Sequence, residues 1–523
     1  MIRTSAIAFS AAGLFVLCAA QPLAADDSTE RIRGLTLKQA AARIAKFPRD
    51  KQIVKALSVR RVGRVIRFDL DISENPDGLS WFIRLNLPTA AFEKTSRAFE
   101  SAGYEISVSD SVVLEQQRYY SGVWVRQSGP PKPLVLPDLP VPVSGVVVDQ
   151  FTRVDTLMTG FLQEHNVAGA TVAISYKGKQ LYSRGFGWAD VTEQTPMAPD
   201  AVMRIASLSK PMTATAIMQL VEQKQLGLDD EVMPILKAAR FRRPRDKRWR
   251  QITVRQLLQH TGGWDRDSSA DPMFMTSQAR EALRLKRQPK ARDMVEWQLQ
   301  QPLDFNPGSR EAYSNVGYCV LGRIIESISG QTYEEYMTRQ LLNPANMNDT
   351  RLGKSRLEER GMGEVHYHMQ NQKRVAAVWS VFPDRRGRVR PQEVDGPYGA
   401  WDLEVMDAHA GWVSTAPDLV RFASAVLDDN SSLLNTETRS TMLERPIHVD
   451  DSKGHWYGCG WNAQRIGRND FNLWHHGFLD GSASLLVRQW DGYTWAVLFN
   501  TGKSSSDERL ALLIDQPLRR AIR

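Results

Sequence analysis

Apolar residues at Phe151, Val154, Leu157, Met158, Phe161 and Leu162 fall on one face of a helical period, so a helix is expected there. Apolar and polar positions then alternate through Ala170-Thr-Val-Ala-Ile-Ser-Tyr176. A Lys177-Gly178 turn leads on to Gln180-Leu-Tyr-Ser-Arg184, the pattern of a β-hairpin. Far downstream, Ala483 to Arg488 and Tyr493 to Phe499 read as strands joined at Asp491-Gly492, a turn pair suited to hairpins. A helical stretch from Glu508 to Ala521 closes the chain. Both ends of this region supply strands and a covering helix, while its middle reads as mostly helical.

Upstream of Phe151 the pattern is different. Thr36 to Lys46 and Ala90 to Gly103 read as helices, the second ended by its glycine. Ala56 to Arg60, Val65 to Leu70, Ser80 to Leu85, Tyr104 to Ser109, Ser111 to Glu115 and Tyr119 to Arg126 read as strands. This gives two similar units within residues 30–127, each expected to end on a tryptophan-bearing strand, Trp81 and Trp124. Ser128 to Gly145 then carries six prolines and no amphipathic period. Residues 128–146 are therefore expected to form an extended, semi-rigid spacer ahead of a main domain at 147–523.

A chain of 523 residues, 42% hydrophobic and 24% charged, can bury a sizeable core in more than one domain. Its start reads Met1-Ile-Arg-Thr, then an apolar run from Ala6 to Ala20, then Leu23-Ala-Ala25 before Asp26. That is the pattern of a secretory signal peptide over residues 1–25. A membrane anchor is the alternative, but the run is short and interrupted by Ser10 and Gly13. Leu17 ahead of Cys18 stands where lipidation wants a small residue. A periplasmic or secreted protein without a membrane anchor is expected. Cleavage leaves Cys319 and Cys459, both in apolar stretches and expected as buried free thiols. The net charge of +8 is concentrated in Arg240-Phe-Arg-Arg-Pro-Arg-Asp-Lys-Arg-Trp-Arg250. Without a P-loop, zinc-finger or RNA-binding signature, this run is expected as a solvated loop or a contact with anionic envelope polymers, not a nucleic-acid site.

Three short segments carry candidate chemistry. In Ser207-Leu-Ser-Lys210, residues three apart share a helix face, so the Lys210 amine can reach the Ser207 hydroxyl and activate it. Alone, the tetrapeptide also fits a capping serine and a solvated lysine. Tyr313-Ser-Asn315 offers a phenol whose phenolate a neighbouring amine would favour, and an amide able to hold both Lys210 and a substrate amide. The bland alternative is a core tyrosine with a helix-capping asparagine. His475-His476-Gly477 could supply two metal ligands, but no third stands at a recognisable spacing, so no metal or cofactor is expected.

In this order and spacing the three boxes resemble those of class C β-lactamases and their relatives, the family VIII-type esterases, D-aminopeptidases and D-alanyl-D-alanine carboxypeptidases. Ile252-Thr-Val-Arg-Gln-Leu-Leu-Gln-His-Thr-Gly-Gly263, Pro307-Gly308 and Tyr457-Gly-Cys-Gly-Trp461 add to the likeness, which runs from about Phe151 to the C-terminus. The resemblance implies an α+β fold of the α/β/α sandwich type: an antiparallel sheet with helices on both faces and a mostly helical subdomain. It implies an acyl-enzyme on Ser207, with Lys210 and Tyr313 sharing the base role and either of them the resting base. Asn315, His475, His476 and Gly477 would support the substrate, and the backbone amides of Ser207 and Phe478 would form the oxyanion hole. The N-terminal α+β units weakly resemble bacterial tandem-repeat modules, which would make them a cell-wall or protein contact or inert support.

The third box departs from the lactamase pattern, where Lys-Thr-Gly is usual. Histidine at 475 removes a permanent cation, and His476 removes a hydroxyl. This lowers the expectation of β-lactam hydrolysis and raises that of an esterase or an amidase/peptidase acting on a small-molecule or peptide substrate. His475 is expected to titrate near neutrality and to bind anionic substrates when protonated. The rival readings are a penicillin-binding D-alanyl peptidase, a β-lactamase, and an inactive binding or scaffold protein. Glu364 to Pro397, with His366, His368, Trp379 and Tyr398, could line the site or form an ordered surface loop.

Overall fold

The computed structural model describes residues 29–44, 52–63, 65–75, 80–100, 105–115, 117–126, 132–372, 374–380, 392–447, 454–467 and 470–523. The expected signal segment and Gly103 lie outside the described residues. The chain divides into two compact units, the division falling between Ser128 and Gly129.

In the first unit, β1 (Glu30–Leu35), α1 (Leu37–Ile44), β2 (Gln52–Val62) and β3 (Val65–Glu74) are followed by β4 (Ser80–Pro88), α2 (Thr89–Glu100), β5 (Glu105–Leu114) and β6 (Gln117–Arg126). The sheets run β1-β3-β2 and β4-β6-β5, so one βαββ topology occurs twice. This corrects the expected repeat boundary: Trp81 lies on β4 and opens the second unit instead of ending the first. Alternation locates strands but says nothing about which unit a strand joins. The two strands expected within 104–115 are one, β5: the polar run Ser109-Asp110-Ser111 suggested a break, but it pairs in register with Gly122, Ser121 and Tyr120. Trp81 is buried with Val54, Phe68, Leu70 and Val123, while Trp124 is buried against Phe82 and Phe92. Both tryptophans are therefore core residues.

The second unit is built on one antiparallel sheet. Its principal strands are β7 (Gly169–Tyr176), β8 (Lys179–Asp190), β9 (His455–Tyr457), β10 (Asn462–Arg465), β11 (Phe471–Leu479), β12 (Ser482–Arg488) and β13 (Tyr493–Phe499), in the spatial order β8-β7-β13-β12-β11-β10-β9. Period-two alternation sorts the side chains. Val172, Ile174, Trp495 and Val497 face α3 (Thr152–Glu164) and the closing helix Leu510–Ile522. Ala173, Leu486, Ala496 and Leu498 face the opposite layer, which contains α4 (Ser209–Glu222), α5 (Asn315–Ser329) and α6 (Ala416–Leu427). The architecture is α+β, with helices on both sheet faces and a largely helical region between β8 and β9. Ser209 through Leu220 of α4 are buried on every side, as expected of a helix at the centre of a core. Cys319 and Cys459 are free and buried, and burial pushes both thiols up to about 12.

Two expectations change. From residue 132 on, the proline-rich stretch is tied into the second unit: Lys132–Pro133 pair with Asn371–Gln372, Leu134 is buried, and Val143–Ser144 pair with Phe186 and Gly185. The basic run is not wholly solvated, because Trp249 is fully buried and Arg248 is tied to Asp246 and to the Leu303 carbonyl. No helix among the described residues is long and apolar enough to cross a membrane.

Candidate active site

The strand-to-helix turn carrying Ser207 is pinned from three sides. The Ile205 N–H donates to Trp412 O (3.1 Å), Ser484 Oγ donates to Ile205 O (2.7 Å), and Ser209 Oγ donates to Ala206 O (2.7 Å). Ala206 is held at φ +48°, left-handed backbone that costs a non-glycine residue about 1–2 kcal/mol. The turn lifts Ser207 to a partly exposed position while its neighbours are buried.

Lys210 follows on α4 with its side chain fully buried. Its Nζ donates to Asn315 Oδ1 (2.6 Å) and to His409 O (3.0 Å), and lies 3.1 Å from Ser207 Oγ. Burial holds the amine well below its ordinary range; Asp271 opposes that shift and Arg266 adds to it. Two carbonyls thus take two N–H bonds of the amine, whose remaining position faces Ser207 Oγ.

Tyr313 hydrogen bonds with Ser207. Lys210 Nζ and the Arg266 guanidinium each lie 4.7 Å from its ring centroid. Burial dominates and pushes its phenol upward, although Ser207 and Arg266 pull the other way. The expected phenolate is therefore corrected: a desolvated Lys210 is a poor counter-cation, and Tyr313 keeps its proton. His260 brackets the tyrosine. Its carbonyl accepts the Ala312 N–H (2.9 Å), its Nδ1 accepts the Ser314 N–H (3.2 Å), and its ring sits 4.3 Å from that of Tyr313. Nothing in the Gln259-His260-Thr261 phrase marked this role.

The third box lies on β11, and its residues alternate between faces. His475 Nδ1–H donates to His476 O (2.8 Å), so its Nε2 accepts from the Tyr457 hydroxyl (3.1 Å). Burial first, then His476 and Lys210, holds this imidazole well below its usual range. The expected titration of His475 near neutrality is thereby corrected, since a buried neutral ring cannot offer a cation to an anionic substrate there. His476 faces the other way, pushed down to about 4 by burial and by Arg509, whose guanidinium lies 4.9 Å from the Phe478 ring. Adjacent residues on opposite faces cannot chelate one ion. Gly477 pairs with Ser484 across the sheet and meets the Ser207 turn directly. A Cβ there would stand 2.2 Å from Ile205 O and 2.3 Å from Ser484 Oγ. Gly477→Ala must therefore displace either β11 or the Ser207 turn. Activity is expected to fall by about 100-fold, with a lowered Tm, as read by ester turnover and thermal melting.

Beyond Trp474, β10 no longer pairs with β11, and the Ser207 turn stands against that stretch of the strand. His366 and His368 lie elsewhere: His366 Nδ1 is 3.2 Å from Asp190 Oδ2, its ring stacks on His368 at 5.0 Å, and both line a small separate pocket. The Asp271 carboxylate was not singled out from sequence, yet Asn315 Nδ2 donates to its Oδ2 at 2.6 Å.

Four buried histidines, His260, His368, His409 and His475, and the half-buried His476 are held below their ordinary range, desolvation being the first cause in each. The unfolded chain protonates them near pH ~6.5 and the folded chain does so only at lower pH, so folding stability is lost as pH falls through this window. Asp402, raised by burial and by Glu404, and Asp271, Asp418 and Asp515, raised by burial, work in the opposite sense and offset part of the effect, while Lys210, held low by burial, adds to the histidines. The slope is about 1.4 kcal/mol per pH unit for each such histidine, measurable as falling urea midpoints between pH 7 and 5.

A penicillin-binding protein of Bacillus subtilis is 26% identical over 365 residues, 69% of this chain and 74% of its own length. Protein flp of Staphylococcus aureus is 24% identical over 354 residues, 67% of this chain and 63% of its own. Among solved structures, the D-amino acid amidase of Ochrobactrum anthropi SV3 shares the fold with a TM-score of 0.53, at 21% identity over 72% of this chain and 98% of its own. EstCE1, described as a hydrolase with promiscuous acyltransferase activity, matches with a TM-score of 0.54 at 20% identity, covering 71% and 98%. The Beta-lactamase family model matches residues 154–518, well over half of the sequence, and the chain belongs to that family of serine hydrolases.

Proposed function

We propose that the protein is a secreted hydrolase that cleaves a carboxylic ester or an amide, peptide bonds included, through an acyl-enzyme on Ser207. The observation that carries this reading is the buried Lys210 amine, with two carbonyls on its N–H bonds and Ser207 Oγ at 3.1 Å. As Oγ bonds to the substrate carbonyl carbon, its proton passes to Lys210 Nζ. The negative charge moves to the carbonyl oxygen, where the Ser207 and Phe478 amides serve as the oxyanion hole. The close seating of the Ser207 turn on β11 supports that placement. Tyr313, which holds a proton beside Ser207, delivers it to the leaving oxygen or nitrogen and recovers one from Lys210. Water then attacks the ester carbonyl, gives its proton to the same pair, and releases the acid and Ser207.

Esters and amides are favoured over β-lactams because His475 offers no cation near neutrality and His476 faces away from it. The shared fold of a D-amino acid amidase and of a hydrolase with promiscuous acyltransferase activity is in keeping with such acyl transfer. Export to the periplasm or beyond is supported by the signal-like N-terminus. Short p-nitrophenyl esters, D-amino-acid amides and glycine-rich peptides, assayed with native protein and Ser207→Ala, test the reading; turnover retained in the variant would end it. The sequence likeness to a penicillin-binding protein favours one second reading, a D-alanyl peptidase. A long-lived penicilloyl adduct on Ser207, seen by mass spectrometry without ester turnover, would select it.

A further inference from the structure

Asp271 precedes Pro272 and caps the short turn Pro272–Phe274, with the Met273 N–H donating to its Oδ1 at 3.1 Å. Its other oxygen accepts from Asn315 Nδ2 at 2.6 Å, and Asn315 Oδ1 in turn accepts from Lys210 Nζ at 2.6 Å. Burial raises the Asp271 carboxyl, while the Met273 N–H, Asn315, Lys210 and Arg266 favour its ionised form; as a carboxylate it has only acceptors to offer, which sets the NH2 end of Asn315 toward Asp271 and its carbonyl toward Lys210. Turned over, the amide would present N–H to the amine. The Lys210 lone pair would then be taken by Asn315 and withdrawn from Ser207.

We propose that Asp271 is a positioning residue for the base: it fixes the Asn315 amide and so keeps the Lys210 lone pair for Ser207. This rests on the acyl-enzyme reading above. The carboxylate also faces Lys210 electrostatically and favours its protonated form, while Arg266 disfavours it. Around the same amine stand His260, His409 and His475, each disfavoured as a cation by Lys210, and the rings of Tyr313 and Tyr318.

Asp271→Asn is the discriminating variant, because it preserves shape and reverses polarity. The Met273 N–H holds the new amide oxygen, which leaves its NH2 pointing at Asn315 and turns that side chain over. For a neutral ester, kcat is expected to fall roughly 10- to 100-fold with KM within about threefold of native. The acid limb of kcat/KM should move to lower pH, since the negative charge that favoured protonated Lys210 is gone. Asp271→Ala, which removes the hydrogen bond without imposing the wrong one, should lose less and show the same shift. Asn315→Asp added to Asp271→Asn restores an acceptor facing Lys210 and should recover part of kcat. Thermal melting and phosphonate labelling of Ser207 establish that each variant is folded. Asp271→Asn and Asp271→Ala with kcat within threefold of native and an unmoved acid limb would overturn the proposal. A native protein whose turnover does not depend on Ser207 would instead overturn the acyl-enzyme reading beneath it.

Discussion

Ser207→Ala is expected to abolish turnover of every ester and amide the native protein cleaves, with kcat reduced by about 10,000-fold or more. Nothing else near the turn can replace the hydroxyl. Ser209 Oγ is committed to the Ala206 carbonyl and Ser484 Oγ to Ile205, and both thiols are buried elsewhere with their protons held. The fold should survive. Ser207 is partly exposed, and the backbone bonds that pin its turn come from Trp412, Ser484 and Ser209 rather than from its own side chain. Stability is therefore expected to stay within about 1 kcal/mol of native, the usual range for a partly exposed side chain outside the core. Matched kinetics, thermal melts and intact-mass spectra after phosphonate treatment measure all three consequences. A variant that melts like the native protein but still forms an adduct would place the nucleophile elsewhere.

What could be read from the sequence followed from local geometry. Ser207 and Lys210 stand three apart at a helix start, so their meeting is a matter of short spacing; Asn315 joins them from 105 positions away, which its place in the second box suggested. The sheet was legible because its strands either alternate, as in Ala170 to Tyr176, or form short apolar runs beside a turn signal, as in Ala483 to Arg488 before Asp491-Gly492. What failed was the sign of competing electrostatic effects. A histidine at 475 suggests a titrating cation and a tyrosine beside lysine suggests a phenolate, but both inferences assume water nearby. Burial reverses them, and burial depends on residues far away in the chain, such as Tyr457 for His475 and His260 for Tyr313. Asp271 stayed hidden for a different reason. Asp-Pro is an ordinary turn signal, and Asp271 does cap a turn; its second oxygen acquires a role only when the fold brings in Asn315, 44 positions later.

Lys210 provides the sharpest separation between a base and a fixed charge. Lys210→Met should lower kcat by about 1,000-fold or more, in line with the loss of a positioned general base. Two opposing terms act on stability. The change leaves Asn315 Oδ1 and His409 O without their donor, at about 1–3 kcal/mol each, and it relieves the burial of an ionisable amine of a comparable cost. The Tm should consequently move by only a few degrees. Lys210→Arg carries a fixed positive charge and cannot surrender a proton, so it is expected to be as inactive as the methionine variant. In the native protein, activity should rise with pH as Lys210 loses its proton. Because burial holds that amine well below its usual range, the rise should be complete at a pH where a solvated lysine would still be charged. An arginine enzyme with kcat within about tenfold of native, or native activity that falls instead of rising as Lys210 loses its proton, would show that Lys210 acts as a cation and not as the base.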